Sequence, residues 1–173
     1  MKGIQILKTS ITALKTDAIV NAANEYLLQG GGVCGAIFRA AGADQLQEAC
    51  NEIGGCRTGS AVITPGFNLK AKYVIHAVGP RWRGGSQNEP KLLYSTYRQA
   101  LLRARENECR SIGFPLISSG IFGYPMTDAW RVALEACLDF RKEDPEMEIV
   151  FAVIDDEILA AGKKTLAELQ GNA

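Results

Sequence analysis

Apolar runs of strand length alternate along this chain with longer stretches of helical period. Residues 4–7 and 17–22 (DAIVNA) are dense in β-branched side chains and predict two strands. The spacing over 33–41 and 44–53 predicts two helices broken at Gly42, and 60–64 and 72–78 (KYVIHAV) predict two more strands. Leu92, Leu93, Tyr97, Leu101 and Leu102 recur at helical spacing within 88–107. A strand is expected over 111–117, then a helix over 127–141 capped by Thr127. The last strand is expected at 148–154, the last helix at 156–169, and a loose tail at 170–173. Strands separated by helices imply an α/β domain around a largely parallel, buried sheet. Neither a linker nor a repeat interrupts the pattern, so one domain over 1–173 is expected.

Composition narrows the function classes. An apolar share of 47% and a charged share of 22% belong to a globular chain. Nineteen basic residues balance nineteen acidic ones, which argues against a protein built to grip extended nucleic acid. The N-terminal segment lacks a signal-peptide pattern, and no stretch nears the ~20 apolar residues of a membrane span. The five cysteines (Cys34, Cys50, Cys56, Cys109, Cys137) contain no C-x-x-C pair. Neither a zinc site nor a disulfide framework is indicated, and reduced thiols in a cytoplasmic protein are expected.

Candidate chemistry concentrates in two loops. From Val20 to Gly42 a buried strand ends in Asn21-Ala22-Ala23-Asn24, and Gly30, Gly31 and Gly32 then open a helix at Val33. Glycines permit close backbone approach, and a helix start offers unpaired N–H groups and a favourable dipole. Together they suit a diphosphate. A glycine run alone is as readily a plain tight turn; the two short amides at a strand's carboxyl end add groups able to hold sugar hydroxyls. The second loop, Ser118-Ser119-Gly120-Ile121-Phe122-Gly123, follows another strand and is expected to place two hydroxyls at a helix N-terminus. His76, the single histidine, is expected to be a satisfied core residue, and Trp82 and Trp130 packing residues.

These segments resemble the macro domain family, and specifically its branch that removes ADP-ribose from proteins or deacetylates O-acetyl-ADP-ribose. The resemblance rests on N-A-A-N, the glycine run with V-C-G-A-I-F, H-A-V-G-P and S-S-G-I-F-G, in the family's order across nearly the whole chain. It implies a three-layer α/β/α fold with a mixed, mostly parallel sheet of about six strands. It implies a ligand-binding set of Ser10, Ile11, Asn21, Ala22, Gly31, Gly32, Val33, Ser118, Ser119, Gly120, Ile121, Phe122, Ile154 and Asp155. Asn24 is its catalytic candidate, with Cys34 beside it, and the chemistry needs neither metal nor cofactor. The partner it implies is ADP-ribose or an ADP-ribosylated protein, with the oligomeric state left open.

Four positions depart from the family's pattern. The aspartate that accepts from the adenine amine is replaced by Ser10, and the aromatic residue that stacks on adenine by Ile154. The aspartate of V-D-G-A-I is Cys34, and the histidine after it is Phe38. Some viral macro domains that resemble this stretch also lack the aspartate and still hydrolyse ADP-ribosyl esters. Three readings follow: an ADP-ribosyl-ester hydrolase, a binding module without turnover, and a macro fold with altered nucleotide preference.

Overall fold

The computed structural model describes residues 3–171. Its elements in chain order are β1 (Ile4–Lys8), a 3-10 turn (Ile11–Ala13), β2 (Ala18–Ala22), α1 (Gly32–Ala41), α2 (Ala43–Ile53), β3 (Ala61–Pro65), β4 (Tyr73–Ala77), α3 (Glu89–Glu106), β5 (Ser111–Phe114), α4 (Met126–Glu143), β6 (Glu148–Val153) and α5 (Asp156–Gly171). The strands form one sheet in the order β1-β6-β5-β2-β4-β3, parallel throughout except for the antiparallel edge strand β3. The expected mixed, mostly parallel six-stranded sheet is therefore present.

Strand alternation divides the core in two. On one face Val20, Ile75, Phe114 and Phe151 pack beneath α3, α4 and α5; on the other Ile19, Val74 and Val78 pack beneath α1 and α2. Phe114 and Phe151 stack with centroids 5.4 Å apart, and Trp130 meets Phe151 edge-on at 5.1 Å. Trp130 is fully buried, and Gly162 of α5 lies against it where any Cβ would come within 2.6 Å of the indole.

Three expectations are corrected. The strand expected over 111–117 ends at Phe114, because Pro115 has no N–H to give a neighbour. Tyr97 of α3 completes the stop: its hydroxyl accepts from Ile117 N at 2.9 Å and donates to Pro115 O at 3.4 Å. Helix α4 starts at Met126, not Thr127, since Ala129 N donates to Pro125 O at 2.8 Å and closes the first turn there. Pro125 is thus the N-cap residue, and Thr127 lies inside the helix. Of the expected loose tail, Gln170 and Gly171 belong to α5, and residues 172–173 lie outside the described residues.

Candidate functional site

The parallel strands β1, β6, β5, β2 and β4 end on one edge of the sheet, and the candidate residues sit in the last residues of β2 or in the segments that leave that edge. Between β2 and β5 the connections depart to opposite faces, β2 towards α1 and β5 towards α4. That is the switch point at which open α/β sheets form a ligand crevice. Here the ladder is also short. Only Ala18 with Ile112 and Ile19 with Gly113 are paired, so beyond Gly113 the two strands are no longer bonded to each other, while β2 stays paired with β4 as far as Ala22. By that rule the candidate crevice lies where the ladder stops.

Its first wall is the loop 23–31 and the start of α1. Gly31 is the N-cap, with no side-chain cap bond, and Gly32 adopts φ 58°. A Cβ on Gly30, Gly31 or Gly32 would meet nothing within 4 Å, so the surface of this turn is open on its side-chain side. Gly35 is needed for another reason: a Cβ there would lie 2.4 Å from Gly30 O, and its absence lets the loop fold back onto the helix. Asn24 fixes the rest of the loop. Its Oδ1 accepts from Tyr26 N and Leu28 N, both at 3.1 Å, and its Nδ2 donates to Leu28 O at 2.9 Å. Ala22 is half-buried at the end of β2, and Val33 is exposed on the first turn of α1.

The second wall is the loop after β5. Ser118 holds φ 70°, unusual for a side chain with a Cβ, and its buried Oγ has no protein partner. Ser119 Oγ donates to Leu116 O at 2.9 Å. Gly120 is exposed and open, Ile121 is 91% exposed, and Phe122 is half-buried. The expectation that both hydroxyls sit at a helix N-terminus is corrected: α4 begins at Met126, so a further turn, closed by Gly123 N to Gly120 O at 2.9 Å, intervenes.

A strap over residues 81–89, which follows H-A-V-G-P and whose G-S-Q-N-E run resembles the family's, backs this loop. Trp82 N donates to Phe122 O at 2.8 Å, and the Arg81 guanidinium lies 4.5 Å from the Phe122 ring centre. The strap is tied down by Glu89, a buried carboxylate that accepts from Gln87 N at 2.6 Å, Arg83 N at 2.7 Å and Gly85 N at 3.1 Å. Desolvation alone would raise its pKa, yet the hydrogen bonds from its own backbone N–H and from Arg83, Gln87 and Gly85 bring it below the usual carboxylate range.

At the outer end, Thr9 N donates to Val153 O at 3.0 Å, which sets the ends of β1 and β6 side by side. Ser10 Oγ accepts from Thr12 N at 3.3 Å and caps the 3-10 turn, in which Ile11 is buried. Ile154 is 76% exposed. Asp155 Oδ1 accepts from Glu157 N and Ile158 N at 2.8 and 3.1 Å, so this carboxylate serves the start of α5.

Beneath the first wall lies a buried polar row. Asn21 of β2 pairs in register with His76 of β4, and Asn21 Nδ2 lies 3.1 Å from His76 Nδ1. His76 Nε2 lies 3.0 Å from Thr64 Oγ1 and 3.7 Å from Cys50 Sγ. Burial lowers the His76 pKa from 6.5 to about 4, so the ring is neutral and is a core residue as expected. Phe38 covers the ring with centroids 6.4 Å apart. The Cys34 thiol is pushed up by burial, and Asn21 and the Gly30 backbone pull it back only in part. All five cysteines are free, and no cluster of metal-ligating side chains occurs among the described residues.

A shallow depression of about 520 Å³ on α4 and α5, lined by Glu135, Arg141, Lys142 and Leu169 among others, lies on surface helices away from the crevice. No described helix is long and apolar enough to cross a membrane.

Residues 20–133 match the model of the Macro domain family. A macro domain-containing protein of Chlorobaculum tepidum is 49% identical over 165 residues, covering 95% of each chain. An O-acetyl-ADP-ribose deacetylase of Salmonella typhimurium is 49% identical over 173 residues, covering 98% of this chain and 96% of its own. Among solved structures, the Oceanobacillus iheyensis macrodomain with ADP superposes with a TM-score of 0.93 at 36% identity, over 99% of this chain and 94% of that one. The Trypanosoma brucei macrodomain with ADP-ribose gives 0.86 at 40% identity, over 93% and 68%. The three-layer sheet, the two glycine loops at its switch point and these relatives agree: the chain belongs to the macro domain family.

Proposed function

We propose that the crevice between β2 and β5 binds ADP-ribose and that the protein hydrolyses esters on its distal ribose, as O-acetyl-ADP-ribose or as mono-ADP-ribosylated acidic side chains. The observation that carries this is the pairing of two phosphate-ready loops across one gap. The Gly30–Gly32 turn opens a helix with no side-chain cap, and the loop after β5, with Ser118 at φ 70° and Gly120 open, leaves the sheet on the other side of the same switch point. The deacetylase name of the Salmonella relative and the ADP-ribose in the Trypanosoma structure support the choice of ligand.

The reaction assigned is metal-independent. The loops hold the diphosphate, Phe122 lies against the distal ribose, and a water held by the phosphate attacks the acyl carbon. The water oxygen bonds the acyl carbon, the acyl C–O bond to the ribose breaks, one proton of the water passes to the released ribose oxygen, and the products are the ribose hydroxyl and the carboxylic acid. With both Oδ1 lone pairs and one Nδ2 hydrogen of Asn24 committed within its loop, a single N–H remains for a ribose oxygen. Asn24 thus orients and does not act as a base. Ser10, Ile11, Ile154 and Asp155 are assigned to the adenine end and Ala22, Val33 and Ile121 to the crevice rim, in a cytoplasmic protein.

Calorimetric titration with ADP-ribose beside AMP, ADP and UDP-glucose tests the ligand. Selective micromolar binding supports the reading, and no binding of ADP-ribose overturns it. Turnover of O-acetyl-ADP-ribose by Asn24→Ala at the parent rate would refute the assigned chemistry. A reader of ADP-ribose without turnover is the second reading, favoured by the neutral thiol at Cys34 and by Phe38; tight binding with no product after long incubation selects it.

A further inference from the structure

Two hydroxyls stand side by side at the outer end of the crevice, and the bond between them has no fixed direction. Ser10 follows β1 and caps the 3-10 turn Ile11–Ala13. Ile11 anchors that turn in the buried cluster that also holds Ile37 and Phe38 of α1 and Ala152 of β6. The sheet order β1-β6-β5-β2-β4-β3 puts this turn and the strap after β4 on opposite sides of the gap between β5 and β2. From β5 to β1 is two strand spacings, roughly 10 Å. A diphosphate held in the gap, with its ester-bearing ribose towards Phe122 on the strap side, therefore sends its other sugar and its base towards Ser10.

The hydrogen-bonding valences of Ser10 can be counted. Its Oγ accepts from Thr12 N at 3.3 Å and lies 2.9 Å from Thr12 Oγ1, where either oxygen could donate. A hydroxyl has one hydrogen and two lone pairs. When Ser10 donates to Thr12, one Ser10 lone pair remains and accepts from an exocyclic amine. When Thr12 donates to Ser10, both lone pairs are filled and the Ser10 hydrogen is free for an exocyclic carbonyl. The two arrangements keep the same bonds within the turn, so rotation of two hydroxyls exchanges them. Ser10 is exposed, and its remaining valence is open to a ligand. A carboxylate at position 10 would only accept, and would be repelled by a carbonyl. Ile154, next to the bond from Thr9 N to Val153 O, is exposed and apolar and carries no group that reads a base edge.

We infer that the Ser10–Thr12 hydroxyl pair makes the base end of this site indifferent to the 6-substituent of a purine, so that 6-oxo purine diphosphate riboses bind alongside ADP-ribose. The inference rests on the reading of the crevice as an ADP-ribose site with its base at Ser10. It widens the ligand class from adenine nucleotides to purine nucleotides with an amino or an oxo group at position 6. It also assigns that breadth to one side chain: Ser10 is the specificity-determining residue, and Thr12 the partner that lets it donate or accept.

Calorimetric titration of the full-length protein with ADP-ribose and with IDP-ribose, its hypoxanthine counterpart, tests this. In the parent the two Kd values are expected to lie within about threefold of each other, since either ligand finds one neutral hydrogen bond. Ser10→Asp keeps a good cap for the turn but only accepts, and is expected to weaken IDP-ribose relative to ADP-ribose by about tenfold or more. Ser10→Ala removes both valences and should weaken the two ligands by a similar factor. A parent that prefers ADP-ribose by more than about tenfold, or a Ser10→Asp protein with the parent's ratio, overturns the inference. So does a Ser10→Ala protein that binds both ligands as the parent does, because Ser10 would then not touch the base. Failure of the ligand reading looks different: neither nucleotide binds the parent, and the inference falls with it. Tight ADP-ribose binding with the wrong ratio removes only the inference.

Discussion

Trp82 N donates to Phe122 O at 2.8 Å, and through this one bond the second crevice loop leans on the strap that Glu89 ties down. The Glu89 carboxylate receives three backbone N–H groups of that strap, none of which has another acceptor in it. Glu89→Gln puts an NH2 group among those donors and is expected to loosen the strap, to weaken ADP-ribose binding and to lower Tm. The carboxylate pKa is depressed in the folded state, so its contribution is present above the ordinary glutamate value and is lost as pH falls through the lowered one. The Tm gap between parent and variant should therefore narrow in acid. An equal gap at neutral and strongly acid pH would show that the charge is not what holds the strap.

The two glycines flanking the start of α1 are expected to fail in opposite ways. Gly31 has open space where a Cβ would go and a φ of −91° that any residue adopts, so Gly31→Ala should leave Tm within a degree or two. The methyl group would, however, stand where the diphosphate must approach, and Kd for ADP-ribose should rise by about tenfold or more. Gly35→Ala would press a Cβ to 2.4 Å from Gly30 O, a backbone atom, and should cost about 1–3 kcal/mol of stability before any ligand is added. Thermal melts and titrations of both variants check the contrast; a Gly31→Ala protein that binds like the parent removes the first loop from the site.

Much of this architecture was legible because buried strands and amphipathic helices write their periods into sequence. DAIVNA and KYVIHAV predict β2 and β4 to within a residue, and Gly42 parts α1 from α2 as expected. What could not be read depends on long-range contacts. The early end of β5 needs Tyr97, from another helix, to take up Ile117 N. Asn21 and His76 meet only through the register of two strands fifty-five residues apart in sequence. Asn24 and Asp155 carry polar groups that suit a ligand, yet each spends them on its own backbone neighbourhood, and that choice is made by local geometry, not by residue type.

Acid should destabilise the fold through His76 in a defined window. Its folded pKa of about 4 lies below the ordinary 6.5, so between those values the unfolded chain binds a proton that the native state refuses. Stability is expected to fall as pH drops from 6.5 towards 4, by roughly 3 kcal/mol at ~1.4 kcal/mol per pH unit, and this term levels off below 4. Urea melts across that range, with His76→Gln showing a shallower slope, test the assignment. A ring that titrates near 6.5 by NMR in the folded protein would refute it.

The Cys34 thiol is expected to be a wall of the crevice and not its nucleophile. Burial raises its pKa, and no base is placed to take its proton: the two ring nitrogens of the buried His76 are engaged by Asn21 and Thr64. A thiol attack would need the thiolate, so a raised pKa works against it at neutral pH. Cys34→Ala should therefore keep ester turnover within about tenfold of the parent, a loss of no more than ~1.4 kcal/mol in transition-state stabilisation. The parent should also alkylate slowly with iodoacetamide at that position. A fall of several hundredfold in kcat with ADP-ribose affinity unchanged, together with mass-spectrometric capture of an acyl group on Cys34, would reverse the assignment and make the thiol the attacking group in place of water.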